Sequence, residues 1–348
     1  MKGNRALLVG IVVVALFALA VGWYLGSRGQ RERMPVKLTT GFLFTGGSAA
    51  ALMLADEKGY FADAGVRVDI VRGFGSNDAV IKIGAGTYEA GTGYFPELVR
   101  VKAEQPKLDA IAILIAYDGV PDTIVGLKSS GIRTPKDLEG RKIGAQTGGT
   151  PIRLFPLFAE KAGLDPKKVE FVTIPPELFA VMVQQGKVDM MAAFGSTLVT
   201  RFAQLGMAET DLVQFKYKDY LSLHGNALIV RKSWAAKNPE AARGLVKAYI
   251  RGLLYARDHP EEAVDVLVKR EPLLDKKIEL TDLLISNKDY YFTENVLKRG
   301  LGYHTAEDLA RFIKTLAQPF ELKREPAVDE VYDPQYLPPA GERAVKAS

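Results

Sequence analysis

From residue 36 onward, short β-branched apolar runs alternate with segments of helical periodicity, and this rhythm limits the possible folds more than any other feature. Residues 36–40 alternate as a strand, 47–57 carry a helical pattern that stops at Gly59, and 66–71 are strand-like again. A helix pattern over 77–83, a strand beginning at 88–91 and an apolar run over 107–116 continue the series. This is the βαβα order of a mostly parallel sheet flanked by helices. After Asp118, Gly119, Val120 and Pro121 a second series starts, with strands expected at 123–127, 142–145, 169–173 and 188–193. Helices are expected between them at 151–162, 177–185 and 197–205. Each series can supply its own sheet, so a lobe boundary is expected near 118–122.

A last strand at 227–230 precedes a region dominated by helices. Asn238, Pro239 and Glu240 offer an N-cap, a first-turn proline and an acid at the positive helix end. Leu245, Tyr249, Leu253 and Ala256 then recur at helical spacing. Thr305 to Asp308 starts another helix, with Leu309, Phe312, Ile313 and Leu316 on one face. The proline-rich end, with 331–348 as its tail, is expected to run extended over the surface.

At the other end, Lys2 and Arg5 precede an uncharged run of twenty residues, 6–25, and Arg28, Arg31 and Arg33 follow it in a polar linker over 26–35. Twenty apolar residues suffice to cross a bilayer core of ~30 Å. Trp23 and Tyr24 stand where interfacial aromatics anchor such a helix. Cleavage near Ala20, as a signal peptide, is the other reading. Either one exports the remainder of the chain.

Composition removes much of chemistry. The 348 residues carry a net charge of only +5, with acids and bases interspersed, so no nucleic-acid footprint is expected. No cysteine is present, which excludes disulfides, thiolate nucleophiles and cysteine-ligated metals. His224, His259 and His304 lack metal-ligand spacing, so neither a metal nor a cofactor is expected.

The most suggestive loop runs from Gly144 to Phe155 (GAQTGGTPIRLF). It lacks the Lys and Ser/Thr of a nucleotide phosphate loop. What remains is Gly148 and Gly149, Thr150 as an N-cap and Pro151 in the first turn, a helix end whose free N–H groups favour an acceptor or anion. Arg153 lies in that first turn, against the helix dipole. Gly84, Gly86 and Glu89 fail the dinucleotide fingerprint, no G-x-S-x-G elbow occurs, and His224 sits in a polar turn at the surface or between lobes. Phe42, Phe44, Phe74, Tyr94, Phe95 and Tyr117 follow strand patterns, where α/β sheets place ligands.

The order of these features resembles the type II periplasmic solute-binding proteins of ABC importers, in the group for sulfonates, nitrate, riboflavin and thiamine pyrimidine precursors. The matching segments are ADEKGYFADAGVRV at 55–68, IGAGTYEAG at 83–91, SGIRTPKDLEGRKIG at 130–144 and GKVDM at 186–190. The resemblance covers about residues 36–330. It implies an α/β, two-lobed fold with lobe one at 36–119 plus 225–330 and lobe two at 120–224, closing on a small-molecule ligand. It also implies a site in which Gly148, Gly149 and Thr150 supply donors from lobe two. Phe42, Thr45, Gly46, Phe74, Tyr94, Phe95 and Tyr117 would form the lobe-one wall, faced by Phe194 and Ser196. A tryptophan able to stack on a pyrimidine is missing, since Trp23 and Trp234 lie elsewhere. The expectation is a monomeric, non-enzymatic periplasmic receptor, tethered to the inner membrane by 6–25, that hands a nutrient to an ABC permease. The alternatives are a pyrimidine synthase of the same fold, whose cysteine-rich motif is absent, and a membrane-tethered ligand sensor.

Overall fold

The computed structural model describes residues 33–41, 46–146 and 149–345; the segment 6–25, Phe42, Phe44, Thr45 and Gly148 lie outside them. Among the described residues no helix is long and apolar enough to cross a membrane. The chain lays down β1 (Met34–Thr39), β2 (Val66–Val71), β3 (Ala90–Tyr94) and β4 (Ala110–Ile115), then crosses to a second sheet. There it forms β5 (Asp122–Leu127), β6 (Lys142–Ala145), β7 (Glu170–Thr173), β8 (Met190–Phe194) and β9 (Leu212–Lys216), and it returns through β10 (Asn226–Arg231). The strand orders are β2-β1-β3-β10-β4 and β7-β6-β8-β5-β9.

Both sheets are mixed, where the sequence rhythm predicted mostly parallel ones. β10 pairs antiparallel with β3 and β4, and β5 pairs antiparallel with β8 and β9. The remaining pairs are parallel. The reversed strands are the two that follow a crossing. Such a strand enters its new sheet at the edge where the parallel strands end, so it must run against them. β9 was not anticipated, because LVQFK is short, half-polar and only partly buried.

The helices α1 (Gly46–Glu57), α2 (Ser76–Gly84), α4 (Thr150–Ala162), α5 (Phe179–Gln184) and α6 (Gly195–Gln204) follow the expected pattern closely, and α3 (Phe95–Glu104) is one the sequence reading did not place. After β10 come α7 (Pro239–Asp258), α8 (Pro260–Arg270), α9 (Lys276–Ser286) and α10 (Ala306–Leu316). α1 is built from small residues and is buried along most of its length. α7 lies directly on it: a Cβ on Gly252 would come within 2.6 Å of the Ala51 carbonyl.

Asn238 is the N-cap residue of α7 as expected, but its side-chain amide turns back to donate to the Trp234 carbonyl at 2.9 Å, and the other expected cap shifts. Gly149, one residue earlier than expected, is the N-cap of α4, and Thr150 is its first helical residue. The helix expected to start at Thr305 does so, with the Asp308 N–H donating to Thr305 Oγ1 at 3.0 Å. The C-terminal segment carries short helices, and its Tyr332 bridges Ala112 on β4, covering an edge that would otherwise be exposed.

One apolar cluster joins the two halves, running from Phe95 and Ile124 to Phe158, Tyr217 and Phe312. Phe95 is fully buried and stacks on Phe312 at 5.1 Å. Its Ala variant is expected to lose about 3–5 kcal/mol in denaturant unfolding, while Phe95→Leu folds and binds ligand like the parent. A ligand-binding defect in a stably folded Phe95→Leu protein would return this ring to the site.

Candidate functional site

The two crossings bring four residues to one level. Asp122, the first residue of β5, pairs with Phe194, the last of β8. Asn226, the first of β10, pairs with Tyr94, the last of β3. These are carboxyl ends of parallel strands, the place where open α/β sheets hold ligands. Tyr94 joins the two sheets: its hydroxyl donates to Asp122 Oδ2 at 2.7 Å, and its ring lies 5.8 Å from that of Phe194.

Asp122 is fully buried, and its Oδ1 has no hydrogen-bond partner. The same holds for Oδ1 of Asn226, and among the described residues these are the two orphaned buried side-chain oxygens. Burial pushes the Asp122 carboxyl up to about 7, against the lowering effects of the Tyr94 hydroxyl and its own backbone N–H. Removal from water disfavours the charged form more than one tyrosine and one amide favour it.

A second contact between the halves runs through α9, which also meets the start of α1. The Gly46 N–H donates to Glu279 Oε2 at 2.6 Å and the Gly47 N–H to Asp282 Oδ1 at 3.0 Å, both acids coming from α9. Ser196, at the start of α6, hydrogen-bonds Asp282 from the other side, and its N–H donates to the Tyr290 hydroxyl. Burial holds Asp282 above the usual carboxylate range despite those donors. Helix N-terminal N–H groups attract anions. Here the protein's own carboxylates occupy them.

The expected site residues divide accordingly. Tyr94, Phe194, Ser196 and Gly46 meet along the seam between the halves. Gly149 and Thr150 stand at the start of α4, where a Cβ on Gly149 would come within 2.9 Å of the Gln146 carbonyl. Arg153 lies over Phe320 in a surface groove shared with Ile152, Pro156 and Pro319. Phe74 is 78 % exposed beside the Lys82 ammonium, and Phe95 packs in the core instead of lining a wall. Tyr117 is buried against Tyr290 and Tyr291. His224 lies at the return crossing and donates to the Asp118 carbonyl. The sequence reading missed Asp122, Asn226, Glu279 and Asp282. For Asp122 a signal existed, an acid heading an otherwise apolar strand straight after the crossing proline.

Two mixed sheets flanked by helices, joined by two crossings and meeting along a polar seam, define the two-lobed periplasmic-binding-protein fold. Solved structures agree. The aliphatic sulphonate binding protein SsuA of Escherichia coli superposes with a TM-score of 0.69 at 16% identity, over 88% of this chain and 99% of that one. The nitrate-binding protein NrtA of Synechocystis does so at 0.61 and 14% identity, over 88% and 87%. Residues 47–263 match the NMT1/THI5-like family, and the chain belongs to it. A 4-amino-5-hydroxymethyl-2-methylpyrimidine phosphate synthase of Legionella pneumophila is 21% identical, over 82% of this chain and 87% of its own length. A formylaminopyrimidine-binding protein of Halalkalibacterium halodurans is 23% identical, over 63% and 66%.

The raised Asp122 carboxyl has a pH signature. Between about pH 4 and its folded value of about 7, the folded protein keeps this proton and the unfolded chain does not. Its contribution to stability is therefore full below about pH 4 and is lost as pH rises to about 7. Asp122→Asn keeps an acceptor for Tyr94 and cannot ionise. It is expected to unfold at higher denaturant than the parent at pH 8, by a few kcal/mol at most, with the gap closing toward pH 4. A gap independent of pH would show that Asp122 does not titrate in this window.

Proposed function

We propose that this protein is the extracytoplasmic substrate-binding component of an ABC importer, which captures a small, flat nitrogen heterocycle between its lobes and delivers it to a membrane permease. The observation that carries this reading is the pair of partnerless acceptors, Asp122 Oδ1 and Asn226 Oδ1, at the strand ends beside Tyr94 and Phe194. A buried acceptor without a donor costs about 1–3 kcal/mol, which a ligand N–H offsets. Tyr94 and Phe194 would supply the aromatic faces for a flat ring.

Charge argues against an anionic ligand at the seam. Asp122, Glu279 and Asp282 are all acidic, and the α1 N-terminus is already capped by two of them. A sulfonate or nitrate placed there would meet carboxylates where it needs donors. A thiamine-precursor-like pyrimidine or a flavin-like ring carries N–H groups and fits better. In this reading Gly148, Gly149 and Thr150 close over the ligand from lobe two, and Phe42, Thr45 and Phe74 complete the wall from lobe one. Binding favours the closed lobes because only they contact ligand on both sides. Residues 6–25 would hold the receptor at the inner membrane, facing the periplasm.

A second reading, catalysis, rests on the relative named as a pyrimidine phosphate synthase. Both are tested on the same protein. Aminopyrimidines are expected to raise the melting temperature and to be recovered unchanged, while alkanesulfonates and nitrate leave it unmoved. Asp122→Ala should weaken pyrimidine binding by about 10- to 100-fold in calorimetry. Stabilisation by sulfonates alone would overturn the ligand class, and conversion of the ligand would overturn the receptor reading.

A further inference from the structure

Two of the chain's three histidines, His224 and His304, are far apart in sequence yet meet ring against ring, with centroids 4.2 Å apart. They do so at the hinge. Asp118 heads the first crossing, His224 precedes β10 on the return, and His304 lies in the loop before α10. One ligand atom from each of these three residues lies within 4.8 Å of the other two, and all three are only partly buried.

Each is held from behind by a second group. His224 Nδ1–H donates to the Asp118 backbone carbonyl at 3.0 Å, and His304 hydrogen-bonds the carbonyl of Ile115. With one nitrogen of each neutral imidazole fixed as a donor, the other carries the lone pair. The Asp118 carboxylate accepts from Thr293 Oγ1 and from Asn295 Nδ2, at 2.8 Å for the latter, which orients it and leaves further lone pairs. Outer hydrogen bonds of this kind fix the orientation and tautomer of metal ligands.

We propose that Asp118, His224 and His304 form a divalent-cation site, suited to Zn2+, that clamps both lobe crossings to the first lobe. Two imidazoles and one carboxylate with an open fourth position suit tetrahedral zinc. Ligand atoms around zinc stand about 3.3 Å apart, given bonds of about 2.0–2.1 Å. The side chains must therefore draw in from their present spacing of up to 4.8 Å. The bound ion would fix the backbone just before Asp122 and just before Asn226, stiffening the hinge on which lobe closure turns.

The test is calorimetric titration of ZnCl2 into untagged, full-length protein stripped with EDTA. The expected result is saturable one-to-one uptake and a higher melting temperature. His224→Gln and His304→Gln are each expected to weaken uptake by at least roughly 100-fold, while His259→Gln, at the exposed junction of α7 and α8, leaves it unchanged. Absence of one-to-one uptake, or uptake kept in both variants, would overturn the site. If the variants do not fold, Co2+ added to the parent decides. Intense tetrahedral d–d bands removed by EDTA support the site, and the weak spectrum of the hydrated ion overturns it.

Discussion

The two chain crossings are the constraint on which the rest of the structure depends. A strand that arrives from the other lobe enters its sheet at the carboxyl edge of the parallel strands, so it runs antiparallel and its first residue lies beside their last. Asp122 and Asn226 are such first residues, and Phe194 and Tyr94 are the corresponding last ones. The polar character of the seam therefore follows from topology. It needs no special loop, only a polar residue at the head of each reversed strand.

The seam is held by few groups, and they are acidic. Tyr94 on one sheet donates to Asp122 on the other, and Ser196 meets Asp282, which also accepts from the start of α1 and from Ser286. The two kinds of contact differ in their electrostatics. Glu279 and Asp282 face the positive end of a helix, where dipole and N–H groups offset part of the desolvation. Asp122 has a single tyrosine hydroxyl and its own amide, so its carboxyl rises to about 7. Lys216, on β9, adds an ion pair to the buried Asp289 at 2.5 Å and ties the second sheet to the segment after α9.

The sequence carried the alternation of elements well, because strands such as AIAILI and helices such as that opened by Thr305 announce themselves locally. Strand direction was not legible. Parallel and reversed strands have similar apolar patterns, and the difference lies in where the chain enters the sheet. Half of the polar seam was legible for the same reason. Tyr94, Phe194 and Ser196 stand at pattern boundaries that a reader can locate, whereas Glu279 and Asp282 lie on a helix distant in sequence from the helix they cap. Phe95 misled because it neighbours Tyr94: it opens α3, and its ring packs on Phe312 in the core. His224 and His304 were dismissed for their spacing, which says nothing about residues that only the fold brings together.

Asp122 also links ligand to proton. The closed seam removes its carboxyl from water, and the unpartnered Oδ1 makes the charged form costly. Under the proposed function, opening the lobes would rehydrate that oxygen, so the charged form would favour the open state and the protonated form the closed one. A ligand N–H on Oδ1 reverses this preference by stabilising the carboxylate inside the closed protein. Under the proposed function, near neutral pH, ligand capture then carries the release of part of a proton with it, and a donor-bearing ligand makes closure less sensitive to pH. An anionic ligand would act in the opposite sense, raising the same carboxyl further and weakening as pH rises. Under the proposed function, the buried acid at the head of β5 would sort ligands by the sign of their effect on one proton.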